Sequence, residues 1–166
     1  MDRAVSCGIL LVNEWREVLL AHATGRSHWD VLKGLPEPGE APLAAALREA
    51  AEESGLDLEP LAFVDLGVLD YRRDKALHLF AARLARASVD PAACVCTSHF
   101  LDERTGRSLP EMDRYAWIPE NDLARHCGKN LRRVLAAVLA DRAIAQWPLQ
   151  FLPGRGPAGA TASQAR

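Results

Sequence analysis

The sequence predicts one α/β domain built on a mixed sheet. Short apolar runs of strand character interleave with only two long segments of helical periodicity. The 166 residues are 49% apolar and 25% charged, ordinary globular usage with enough apolar side chains for a single core.

Ala4–Val12 is a continuous apolar run. Its place near the N-terminus raises the question of a signal sequence. Asp2 and Arg3 precede it, and Asn13, Glu14, Trp15 and Arg16 follow without a small-residue cleavage pattern, which favours a buried strand. Glu17–Ala23 follows the polar turn as a second strand. Residues 24–39, rich in Gly, Pro and charge, read as a long loop of the kind that is functional or disordered. Pro42–Ser54 reads as a helix, with Pro42 suited to its first turn and Gly55 to the left-handed position past its end. Leu43, Leu47 and Ala50 give it a narrow apolar stripe.

Residues 61–71 and 76–84 read as strands about the charged turn 72–75, and residues 86–90 as a linker. Residues 92–100 read as another strand, and residues 102–110 carry turn signals. Residues 114–118 form a short strand ended by Pro119. Residues 129–145 read as a second helix, with Leu131, Val134, Leu135, Val138 and Leu139 on one face. The domain is expected to span residues 1–152, and the Gly, Pro, Ala and Ser of 153–166 to form a disordered tail.

Twenty basic against 22 acidic side chains leave a net charge of −2. That excludes a disordered polyelectrolyte and bulk-charge binding to duplex nucleic acid. No apolar run approaches the roughly 20 residues of a membrane span. Cys7, Cys94, Cys96 and Cys127 lack zinc-ligand spacing, and the Cys94/Cys96 span is poor for a disulfide. They read as thiols in a reducing, cytoplasmic setting.

The informative stretch is residues 34–56, GLPEPGEAPLAAALREAAEESGL. Glu49, Glu52 and Glu53 are spaced i, i+3, i+4, so a helix puts them on one face. The like-charged pairs each cost a few tenths of a kcal/mol. The macrodipole also disfavours anions near a helix C-terminus. Such a double violation is expected where function chose the residues. A hard divalent cation resolves it, because clustered carboxylates supply oxygen ligands. The other reading is a solvated helix face with Arg48 pairing some of the glutamates.

The surrounding residues decide between these. The stretch resembles the signature of the Nudix hydrolases, G-x5-E-x7-R-E-U-x-E-E-x-G-U, at Gly34, Glu40, Arg48, Glu49, Glu52, Glu53, Gly55 and Leu56. One position departs: Ala50 stands where the family prefers a bulky aliphatic. The resemblance implies a Nudix-type α/β/α sandwich and a catalytic, metal-binding helix. It implies that Glu49, Glu52 and Glu53 hold magnesium or manganese, with a further ligand from the Gly34 carbonyl. It implies that Arg48 orients a catalytic glutamate, that Glu40 anchors the loop, and that Gly34 and Gly55 serve the backbone. Glu52 or Glu53 would accept the proton from the attacking water. Family members often recruit one more acid ahead of a late strand; Glu111 stands there, ahead of Glu103 as a candidate, and the alternative is that it starts a turn.

Residues 28–34, HWDVLKG, resemble the W-x-x-P-K-G lead-in of Nudix enzymes acting on diadenosine and diphosphoinositol polyphosphates, with Leu32 in place of the proline. Lys33 reads as a phosphate clamp or a solvated lysine. Trp29 would stack on a base or close the core, and Tyr71, near where dinucleoside polyphosphate hydrolases carry a tyrosine, would recognise substrate or pack. Arg72, Arg73 and Lys75 form a basic turn that either meets extra phosphates or is solvated. The expected activity is magnesium-dependent pyrophosphohydrolysis of a nucleoside diphosphate linked to another moiety, with a dinucleoside polyphosphate favoured. Behind it stand nucleoside triphosphates and diphosphoinositol polyphosphates, and, in another class, a non-catalytic nucleotide-sensing module.

Overall fold

β1 (Ala4–Val12) is apolar along its length because both its faces are covered. Ile9 and Leu11 enter one buried cluster, while Leu10 and Val12 enter another on the opposite side of the sheet. The computed structural model describes residues 3–153. Among these, no helix is long and apolar enough to cross a membrane, and none of the four cysteines is disulfide-bonded.

The main sheet runs β3 (Trp29–Asp30), β2 (Glu17–Ala23), β1, β6 (Lys75–Arg83), β5 (Val64–Asp70). β1 and β6 are parallel and the other pairs antiparallel, so the sheet is mixed. β4 (Leu32–Gly34) pairs with β1 from Cys7 to Ile9, whereas β2 meets β1 only at Val12 and Val18. β2 therefore splays from β1, and the opening admits the loop that carries Gly34. β9 (Met112–Pro119) pairs along β2.

α1 (Pro42–Ser54) packs on one face of the sheet, and α2 (Leu123–His126) and α3 (Lys129–Leu139) on the other, giving the expected α/β/α sandwich. α1 presents Ala45, Ala46 and Ala50 to the sheet, all fully buried, while Leu43 and Leu47 are only partly buried. The expected stripe of Leu43, Leu47 and Ala50 does pack on the core, and Ala45 and Ala46 widen it into a face whose small side chains let the helix approach β1 and β4 closely. Glu53 lies on that same buried face, at i+3 from Ala50.

Several expected boundaries shift. The 24–39 loop contains β3 and β4. The strand expected at 61–71 starts only at Val64, because Leu58 and Leu61 close a turn and are buried beneath α1. Of the strand expected at 92–100 only the last two residues are strand; ahead of them stand a 3₁₀ turn, Pro91–Ala93, capped by Asp90, and an extended segment that pairs with the end of α1. The turn signals of 102–110 belong to a hairpin, β7 (His99–Asp102) and β8 (Arg107–Pro110), closed through Gly106 at φ 66°. The helix expected to reach 145 ends at Leu139. Asp141 accepts the Ala143 N–H and starts a separate 3₁₀ turn, Arg142–Gln146. The tail expected from 153 lies, past Pro153, outside the described residues.

Candidate active site

α1 begins at Pro42 and ends at Gly55, whose φ of 73° gives the left-handed turn and whose N–H donates to the Ala51 carbonyl. The other carbonyls of the last turn are also satisfied. Thr97 N–H donates to Glu52 O at 2.7 Å and Val95 N–H to Ser54 O at 3.0 Å. The Tyr115 hydroxyl donates to Glu53 O. Chain ends of helices ordinarily leave these groups to solvent. Here the segment 95–98 and β9 fasten the turn that carries Glu52 and Glu53.

The Arg48 guanidinium organises the polar face. Its Nε and Nη2 donate to the two Glu40 carboxylate oxygens at 2.9 and 3.0 Å, a bidentate pair. Nη2 also donates to Leu35 O, and Nη1 to Glu49 at 2.9 Å and Glu52 at 3.4 Å. Glu40 accepts the Glu37 N–H as well, which ties the loop to the helix. Hydrogen bonding to Arg48 holds the Glu40 carboxyl below its ordinary range. The Glu49 carboxylate lies against Gly34, and a Cβ at Gly34 would fall on it.

Glu53 is 3% exposed. One of its oxygens accepts the Lys33 N–H at 2.9 Å. Burial pushes its carboxyl up to about 8, with Glu49 and Glu111 adding to the rise and Lys33 opposing it. Burial likewise raises Glu49 against the pull of Arg48, and Glu52 and Glu111 add to it. Glu111 thus belongs to the electrostatic cluster, whereas Glu103 sits exposed in the hairpin turn. Glu111 is placed by Ser98: its N–H donates to Ser98 O at 3.0 Å and Ser98 Oγ donates to its carboxylate at 3.2 Å.

Among the described residues, no three His, Cys, Asp or Glu side chains converge as a ready metal set, because Glu49 and Glu52 turn toward Arg48. The donor chemistry still fits a hard divalent cation. The Glu49 carboxylate lies against a backbone that has no side chain in the way at Gly34, and burial, with neighbouring carboxylates adding to it, makes Glu49 and Glu53 reluctant to ionise without a positive charge.

Lys33, Trp29 and Tyr71 are on the other side of β4, facing α3. The Lys33 ammonium is mostly buried and bonded to Asp30 at 2.6 Å. Burial works against its charge, but Asp30 more than compensates and its pKa is raised. This corrects the picture of a solvated loop lysine. The Tyr71 hydroxyl lies 3.5 Å from the same Asp30 oxygen. Trp29 is half-buried between the His22 and His126 rings, with the Arg114 guanidinium 5.6 Å from its ring centre. Trp29, Asp30, Tyr71, Arg72 and Lys129 line one cavity of about 190 Å³. Sequence reasoning missed Asp30, Ser98 and Tyr115. Only Tyr115 left a signal: it alternates inward on the strand after Glu111.

The family model of the NUDIX domain matches residues 2–138. The chain belongs to the Nudix family. It is accordingly a hydrolase of phosphoanhydride bonds, in a family that generally uses divalent metal ions. The chain is 31% identical to an uncharacterised 17.7 kDa protein of Enterobacteria phage T4 over 142 residues, 80% of this chain and 93% of the relative. It is 27% identical to the RNA pyrophosphohydrolase of Yersinia pestis (strain Pestoides F) over 162 residues, 90% and 89% of the two chains. The C. elegans Ap4A hydrolase shares the Nudix fold at a TM-score of 0.60 and 22% identity, over 81% of this chain and 96% of that one.

Proposed function

We propose that the protein is a cytoplasmic, magnesium-dependent pyrophosphohydrolase, its catalytic domain spanning residues 1–152, whose substrate is a dinucleoside polyphosphate. The observation that carries the reading is the Glu49 carboxylate set against Gly34, with Arg48 bracing Glu49 and Glu52 and with buried Glu53 held by the Lys33 amide. Manganese would serve in place of magnesium, since both take oxygen ligands.

Glu49, Glu53, Glu111 and the Gly34 carbonyl would hold the divalent ion, which would supply positive charge against the diphosphate and acidity to the attacking water. Glu52 is the residue fitted to take the water's proton. Its side chain is 43% exposed and its contact to Arg48 is long, so it meets both the site and solvent. Glu53, buried and bonded to the Lys33 amide, is fixed in place and shut off from solvent. Arg48 keeps Glu49 and Glu52 oriented. Trp29 and Tyr71 share a cavity with cationic Arg72 and Lys129, which suits one nucleoside of the substrate and its phosphates. Lys33, neutralised by Asp30, supports this wall through its ion pair with Asp30.

Likeness to the RNA pyrophosphohydrolase favours a second substrate, a pyrophosphate group carried on RNA. A hydrolysis screen with magnesium over dinucleoside polyphosphates, nucleoside triphosphates and 5′-triphosphorylated RNA tests the reading. Preferred turnover of the dinucleotide, abolished in Glu52→Gln, is expected. Absence of turnover on any pyrophosphate would overturn it.

A further inference from the structure

Beside Glu111 lies a second cavity, of about 580 Å³. That is within the range of roughly 300–1,000 Å³ typical of small-molecule sites. Its walls are the turn at residues 23–26 and the β7–β8 hairpin. Both walls are fixed to Glu111 itself: Thr24 N–H donates to Glu111 O, and Glu111 N–H donates to Ser98 O just ahead of the hairpin. The register of β2 against β9 shifts at His22 and Ala23, leaving Asp113 as the extra residue and turning the 23–26 segment outward.

The lining is chemically specific. Phe100 offers a partly exposed aromatic face, and Leu109 lies in the same wall. Arg26 and Arg104 contribute guanidinium groups with no ion-pair partner among the described residues. The acidic members are occupied: Asp102 accepts from Thr105 Oγ1 and Arg104 N–H within the hairpin turn, and Glu111 accepts from Ser98. An aromatic platform beside unpaired guanidiniums is the combination that binds a nucleotide without reading its sequence.

We infer that this cavity is the subsite for the second nucleoside of a dinucleoside polyphosphate, with Phe100 stacking on the base and Arg26 and Arg104 meeting its phosphate. The inference rests on the proposed substrate. Its position supports it: Glu111 lines the cavity, and Ser98, which holds Glu111, also donates its N–H to the Glu52 carbonyl at the end of α1. A polyphosphate held at the carboxylates can therefore place a nucleoside in this cavity.

The test compares wild type, Phe100→Ala and Arg104→Gln on diadenosine tetraphosphate and on ATP, with magnesium. Both residues are in the exposed hairpin, so the fold is expected to survive substitution. The expected result is a rise in KM for the dinucleotide at least fivefold greater than the rise for ATP. Equal rises on the two substrates would overturn the subsite. If wild type cleaves ATP but no dinucleotide, the proposed substrate fails, and titration with AMP decides the subsite by itself. Movement of the Phe100 ring proton resonances with AMP but not with ribose 5-phosphate supports it. An unmoved Phe100 ring overturns it.

Discussion

Ser98 holds Glu111 at two points, its carbonyl on the Glu111 N–H at 3.0 Å and its hydroxyl on the carboxylate at 3.2 Å. The same residue follows Thr97, which caps Glu52. The orientation of an acid from outside α1 is thus referred to the helix carrying the others. Ser98→Ala should lower kcat about three- to tenfold, the scale of a misdirected polar group rather than a lost one. KM should change little, and Ser98→Thr should restore the rate. Steady-state kinetics on the three proteins checks this.

Arg48 meets Glu40 through two parallel bonds while its remaining nitrogen spans Glu49 and Glu52. A lysine has no planar fork and cannot serve both sides. Arg48→Lys should therefore cost about tenfold or more in kcat despite keeping the charge. Its thermal midpoint should also fall, since the 35–40 loop loses its tie to α1.

Glu53 gives the metal-free protein a pH dependence whose sign is opposite to the usual carboxylate. Its folded carboxyl titrates at about 8 and its ordinary value is 4.5. Between those values the folded state keeps a proton that the unfolded chain releases, so stability falls as pH rises through this window. Melts in chelator should show wild type losing stability from pH 5 to pH 8. Glu53→Gln, which cannot ionise, should lose less and be the more stable protein at pH 8. Metal affinity of wild type should rise with pH over the same interval, because binding displaces the proton.

Ala50 departs from the bulky aliphatic of the family signature, yet it is fully buried under a helix that meets the sheet through alanines. Restoring the signature should harm this protein: Ala50→Leu should destabilise it by about 1–3 kcal/mol through overpacking. Urea unfolding of the variant measures it.

The site was legible in the sequence to the extent that it is local. Gly34, Glu40, Arg48 and the three helical glutamates lie within one stretch, so helix geometry alone brings them onto one face. α1 itself runs from Pro42 to Ser54 because Pro and Gly mark both ends. What the sequence could not show is set by chain crossings. Nothing in residues 94–98 announces that their backbone pairs with a helix end instead of a strand. Nothing in HWDVLKG tells that the Lys33 side chain turns to Asp30 while its amide turns to Glu53. Glu111 was within reach of sequence reasoning only by its place ahead of a strand; Ser98, which positions it, was not.

The carbonyls of Glu52 and Glu53 find their partners far along the chain: Thr97 is 45 residues beyond Glu52, and Tyr115 is 62 beyond Glu53. This sets an order of events in folding. α1 can form early from its own local signals, but its last turn frays until β9 and the 95–98 segment have docked. The carboxylate constellation is therefore a late product of folding, and competence for hydrolysis arrives together with the final tertiary contacts, not with the helix that bears the acids.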